Sequence, residues 1–263
     1  MRQSKWRVSG ASVIGTNHKR FEIPCQDAFA YQESEGGILL VAVADGAGSK
    51  FRSGEGAQHA VETMVTALEE GVSSGRVLDD EVRRAIIFDA YERARSCLQK
   101  ISEREEELLS AFATTLTCVL AASEWISVGQ VGDGVVVYAT THDKYKTAIK
   151  PQKGEYANAT YFLSDPGALS RVEVHHVNQP VEFVAVMTDG LLRLATLRPD
   201  YTPYEKFFQP VKTFLLDDGV SEKDSRLADF LDSERVCSLT DDDKTLVIAA
   251  RETAAVEEEG GEG

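Results

Sequence analysis

The sequence predicts an α+β protein in which β-sheets pack on each other and helices lie outside. Two observations carry this reading. Strand-like runs rich in β-branched residues stand near both ends of the chain, and two long helix-like segments follow one another directly between them. An order of strands, then two helices, then strands again is not that of a parallel sheet built from alternating strands and helices.

The strand-like runs are residues 6–14, 37–44, 114–122, 125–132, 135–140, 181–188 and 244–250. Apolar residues recur at helical spacing over 53–71 and 79–109, which a serine- and glycine-bearing link joins, and a weaker helical stretch covers about 203–231. No internal repeat and no interdomain linker divides the chain. Residues 1–252 therefore read as one domain, and 253–263, in the polar and glycine-rich run VEEEGGEG, as a disordered acidic tail.

The 263 residues are 43% hydrophobic, enough for a sizeable core, while 43 acidic against 28 basic side chains leave a formal charge of −15. Such a balance repels nucleic acid and anionic membrane surfaces, and no basic patch stands out along the chain. No run approaches the length of a membrane span, and MRQSKWRVSG has no apolar signal core, so a cytoplasmic protein is expected. Cys25, Cys97, Cys118 and Cys237 have neither zinc-ligand nor redox-pair spacing and read as free thiols.

An aspartate stands where an apolar strand ends or turns at Asp45 in VAVADGAG, Asp133 in VGQVGDGV, Asp189 in AVMTDGLL and Asp242 in TDDDKTLVI. Any one of these is explained by a turn or a helix cap. Four from distant stretches, each leaving a buried strand, point instead to one shared site. Gathered carboxylates repel one another unless a cation holds them, and oxygen ligands without a His or Cys cluster favour hard ions such as magnesium or manganese. Gly46, without a side chain, can turn its carbonyl to the same ion. A phosphate-cradling loop is excluded because Phe51, five places after Gly46, stands where its second glycine is required.

Taken in order, PCQDAF, VAVADGAGS, TTLTCVL, VGQVGDGVV, VMTDGL and DDDKTLVI resemble the motifs of the metal-dependent type 2C (PPM) serine/threonine protein phosphatases. The likeness runs from about residue 9 to 250 and is nearest to the bacterial branch whose first motif reads Cys-Gln-Asp. It implies a four-layer α-β-β-α sandwich, two mostly antiparallel sheets flanked by helices, with a centre of two or three Mn2+ or Mg2+ ions at one end. By the same resemblance Asp45 bridges two ions, Gly46 joins one through its carbonyl, Asp189 and Asp242 complete the first, Asp27 lies on the side of the second, and Asp133 holds a third, weaker one. The implied reaction is attack of a metal-bridging hydroxide on phosphoserine or phosphothreonine. The implied partners are a phosphoprotein substrate and a serine/threonine kinase, and a monomer is expected.

Three departures bear on the chemistry. Gln26 replaces a usual glutamate, Ala47 stands where many members carry a histidine that protonates the leaving group, and Glu22 occupies the place of a phosphate-binding arginine. His18, in GTNHKRF, is the expected substitute, as phosphate binder or general acid, with a metal-bound water near Asp133 as the alternative; Lys19 and Arg20 read equally well as solvent-facing charges. The adjacent His175 and His176 point to opposite faces of an extended segment and do not share a ligand site. The polar stretch 150–167 occupies the place of the family's variable flap, either as a substrate-reading element or as a plain loop, and the lysines of DKYKTAIKPQK would steer acidic phosphopeptides. A catalytically weak phosphoprotein-binding or regulatory module of the same fold is the second reading.

Overall fold

The structure, a computed structural model, describes residues 5–141, 144–153 and 160–251. The predicted acidic tail and residues 154–159 of the predicted flap lie outside the described residues. Two five-stranded antiparallel sheets form the centre. The first contains β1 (Arg7–Val13), β6 (Val135–Thr140), β7 (Lys146–Thr147), β9 (Val181–Met187) and β12 (Lys244–Ala250), in the order β1-β12-β9-β6-β7. The second contains β2 (Asp27–Glu33), β3 (Leu39–Asp45), β4 (Leu116–Ala121), β5 (Ile126–Val131) and β8 (Glu173–Val177), in that order. A two-residue ribbon, β10 (Thr196–Leu197) with β11 (Thr202–Pro203), stands apart.

Alternating side chains divide the burial. Val41, Val43, Val119, Val136, Val184 and Val247 meet between the sheets. The other face of the second sheet is covered by α2 (Ser53–Val72) and α3 (Asp80–Arg104), whose Ile87, Tyr91, Ala94, Leu98 and Ile101 recur at helical spacing. Each buried leucine or isoleucine of that stripe contributes about 1.5–3 kcal/mol. Asp79 caps α3 by accepting from the Val82 N–H at 2.9 Å, and Tyr91 donates its hydroxyl to the Leu116 carbonyl at 2.8 Å. The first sheet is covered by α5 (Glu205–Leu216) and α6 (Lys223–Leu231), through Phe208, Leu215, Leu227 and Leu231. The four layers are those the sequence implied.

Among the described residues there are also three shorter α-helices, α1 (Thr16–Phe21), α4 (Leu192–Ala195) and α7 (Glu234–Cys237). GTNHKRF, which follows β1, is thus largely helical. The predicted helix over 79–109 ends five residues early, at Arg104, because Glu106 turns into the left-handed region at φ 55°. No helix among the described residues is long and apolar enough to cross a membrane.

Because neighbouring strands run antiparallel, alternate termini collect at one end of the sandwich. Asp27 opens β2 directly opposite Asp45, which closes β3. Asp133 lies in the turn from β5 to β6, Asp189 follows β9, and Asp242 precedes β12, while Val135 and Leu246 flank Met187 in the ladder.

Candidate metal centre

The approach of these strand ends is close enough to dictate the residue after Asp45 and after Asp189. A Cβ on Gly190 would fall 1.9 Å from the Asp243 carbonyl oxygen, and one on Gly46 would fall 2.7 Å from the Ser53 backbone and 2.8 Å from the Gln26 carbonyl. Glycine follows these aspartates because backbone passes where a side chain would stand.

One carboxylate oxygen from each of Asp45, Asp133 and Asp189 lies within 4.8 Å of the others. Asp242, more exposed, acts electrostatically on all three. Burial first, and then the charges of Asp27, Asp189, Asp242 and Asp133, hold the Asp45 carboxyl well above the usual carboxylate range. Asp189 is raised in the same way by burial and by Asp133, Asp242 and Asp27. Burial also raises Asp133 and Asp242, with Asp243 adding to the rise at Asp242 and His18 opposing it.

Asp27 is anchored on one side only. Its Oδ2 accepts the hydroxyls of Thr188 and Thr245, both at 2.8 Å, while Oδ1 is buried with no hydrogen-bond partner. Burial pushes this carboxyl up to about 7, against the lowering effect of the two threonines. Asp133 Oδ1 is likewise buried without a hydrogen-bond partner. Orphaned carboxylate oxygens beside mutually repelling carboxyls are what a hard divalent cation fits. Asp45 itself is fixed through its backbone: its N–H donates to Thr115 Oγ1 at 2.9 Å, and its carbonyl accepts from the Thr114 hydroxyl at 3.0 Å and the Thr115 N–H at 2.8 Å.

Asp243, which the sequence reading left without a role, ties the site together. Its carboxylate, almost fully buried, accepts the N–H groups of Gly15 and Gln26, both at 2.6 Å, and faces His18 Nδ1 at 2.9 Å. The residue beside one candidate ligand thereby holds the turn after β1, the start of α1 and the segment leading to Asp27. The acidic run at 241–243 was the available signal, and nothing in it distinguishes a ligand from a clamp.

His18 is buried rather than solvent-facing. With Nδ1 on Asp243, its Nε2 lies 3.7 Å from the point where a Cβ on Gly48 would stand, with Gln26 Oε1 3.9 Å from the same point. Gln26 donates Nε2–H to the Lys50 carbonyl at 3.1 Å, so it joins the first motif to the loop after Asp45. Lys19 pairs with Asp232 at 2.6 Å. Cys25 is not activated, since burial pushes its thiol up to about 12. His175 and His176 sit on successive positions of β8, and His176 Nδ1 meets Ser127 Oγ at 2.8 Å. Lys144 and Lys150 of the expected steering segment pair with Glu205 at 3.7 Å and Asp200 at 3.2 Å.

Residues 14–232 match the family model described as Protein phosphatase 2C. The chain belongs to the protein phosphatase 2C family. The family match stops short of Asp242 and β12, which the fold nevertheless returns to the carboxylate cluster. Serine/threonine-protein phosphatase 3 of Escherichia coli K12 is 34% identical over 252 residues, covering 93% of this chain and 98% of that protein. The structure of the S. agalactiae serine/threonine phosphatase superposes with a TM-score of 0.63 at 15% identity, over 94% of this chain and 100% of that one. That of a Staphylococcus aureus serine/threonine phosphatase gives 0.62 at 14% identity, over 95% and 97%. These two share the family's fold.

Proposed function

We infer that the protein is a metal-dependent serine/threonine protein phosphatase that hydrolyses phosphoserine or phosphothreonine formed on a protein by an opposing kinase. The reading rests on family membership and on one observation above others: Asp27, Asp45, Asp133, Asp189 and Asp242 come from five strand ends to one end of the sandwich. In this reading Asp45 serves two ions, Gly46 adds its carbonyl, Asp189 and Asp242 hold the first ion, Asp27 lies on the side of the second, and Asp133 holds an accessory one. Two or three Mn2+ or Mg2+ ions are the expected complement. When bound, such ions supply an activated water and neutralise charge on the phosphoryl group.

The chain's own residues do the rest. Thr188 and Thr245 aim the free oxygen of Asp27, and Thr114 and Thr115 set the Asp45 backbone. Asp243 occupies Nδ1 of His18, which leaves Nε2 as the ring atom free to give a proton to the leaving serine or threonine oxygen. This pair supplies an acid where Ala47 supplies none, which weighs against the second reading of a catalytically weak binding module. The deciding experiment is turnover of a phosphothreonine peptide with manganese and after chelation. Metal-dependent release of phosphate is expected, and binding of the peptide without turnover would favour the binding module instead.

A further inference from the structure

On the outer side of the first sheet, α4, α5, α6 and α7 enclose a groove of about 460 Å3. Its floor is apolar, with Phe207, Phe214 and Phe230 from the helices and Leu239 from the segment after α7. Phe230 is 37% exposed and Leu239 48% exposed, large apolar groups left open to water. Its rim is cationic. Arg193, Lys206, Arg226 and Arg235 line it, no aspartate or glutamate does, and none of the four has an ion pair or side-chain hydrogen bond among the described residues. Four unpartnered cations around an aromatic trough are out of keeping with a chain of net charge −15.

Two residues of the groove stand close in the chain to candidate metal ligands. Arg193 is four residues beyond Asp189 and Leu239 three before Asp242, so its near wall lies within about 14 Å of those aspartates along the chain. The surface between is where an extended peptide with its phosphate at the metal end would run.

We propose that this groove is the docking site for the phosphoprotein substrate, binding an acidic segment with one or two aromatic or aliphatic anchors within roughly ten residues of the phosphorylated side chain. The apolar floor takes the anchors and the four cations take the carboxylates, which also draws the segment past an active-site end that would otherwise repel it. The proposal rests on the phosphatase reading for the identity of the occupant, but its geometry is independent of metal.

Two measurements on the full chain separate these claims. The first is fluorescence anisotropy with a labelled, unphosphorylated peptide, Glu-Glu-Asp-Phe-Glu-Asp-Leu-Glu. Saturable binding is expected, weakened about tenfold or more by the exposed pair Arg226→Glu and Arg235→Glu, by Phe230→Ala to a smaller degree, and by added salt. Equal binding of a peptide with Phe and Leu replaced by Ser, or equal binding by the charge-reversed protein, would overturn the groove as the site. The second is turnover of a phosphothreonine peptide with and without that segment. A KM several-fold lower with the segment, at unchanged kcat, and lost in the charge-reversed protein while p-nitrophenyl phosphate hydrolysis is kept, is the expected pattern. Equal KM for the two substrates overturns substrate docking. No turnover of either, with peptide binding intact, overturns the phosphatase reading and leaves the groove standing.

Discussion

The carboxylate end of the sandwich and the cationic groove beside it are built on opposite principles. At the first, like charges from five strand ends are forced together by backbone that cannot move apart, and burial turns their repulsion into a demand for cations. At the second, like charges are exposed around apolar side chains. The first is a site for a small hard ion, which needs concentrated charge. The second suits a long, soft ligand, which needs area and a diffuse field. A neighbouring pair of this kind divides the labour of a protein phosphatase: chemistry at one place, recognition of the surrounding polypeptide at the other.

That division breaks if one region's substitutions change the other's readout. The largest effect belongs to Asp45→Asn. Removing the whole negative charge and one carboxylate oxygen from the residue proposed to serve both ions is expected to lower manganese-dependent turnover by roughly 10³-fold or more, while acidic-peptide binding in the groove is unchanged. Wild-type turnover in a folded variant would remove Asp45 from the centre, and loss of peptide binding would show that the two regions are not separate.

His18→Ala comes next. If Nε2 protonates the leaving oxygen, turnover of a phosphothreonine peptide should fall by about 10²- to 10⁴-fold, with far less loss on p-nitrophenyl phosphate, whose phenolate departs without a proton. Equal loss on both assigns His18 to phosphate binding, and no loss on either leaves the proton to a water near Asp133.

The smallest effect is thermal. The five clustered carboxyls have folded-state pKa values above the ordinary value near 4, and that of Asp27 is about 7. Between those limits the folded, metal-free protein holds protons that the unfolded chain has released. The contribution of these groups to stability is therefore fully present at low pH and is lost as pH rises through their folded values. The Tm of chelated protein should drop by roughly 3–8 °C from about pH 5.5 to pH 8, and manganese should raise Tm more at the higher pH. A Tm indifferent to both would mean that the carboxyls are not crowded in the metal-free state.

The same contrast explains what the sequence made legible. Each candidate ligand other than Asp27 sits beside a strand whose apolar run is visible by itself, and the glycine after Asp45 or Asp189 marks a close backbone approach that local sequence records. The groove left no such trace. Arg193, Lys206, Arg226 and Arg235 come from four helices and are interspersed with acids along the chain, so the expectation of no basic patch was right for the sequence and wrong for the surface. β2 and β8 escaped as strands because Tyr31 and Gln32, or Glu173 and His175, face outward and break the apolar run. α1 is six residues long, with a glycine cap and no apolar stripe, and only tertiary contacts decide its form. The clamp at Asp243 was hidden for a similar reason: its three partners lie 217 to 228 residues away.

β12 is the last described strand in the chain, yet it occupies an interior place in its sheet, between β1 and β9, and carries Asp242 and the clamp at its leading edge. Until it inserts, β1 has no neighbour in the sheet and His18 has no carboxylate to orient it. Seating this one strand therefore completes two things together, the carboxylate cluster that receives Asp242 and the orientation of His18, and a molecule with β12 detached lacks both.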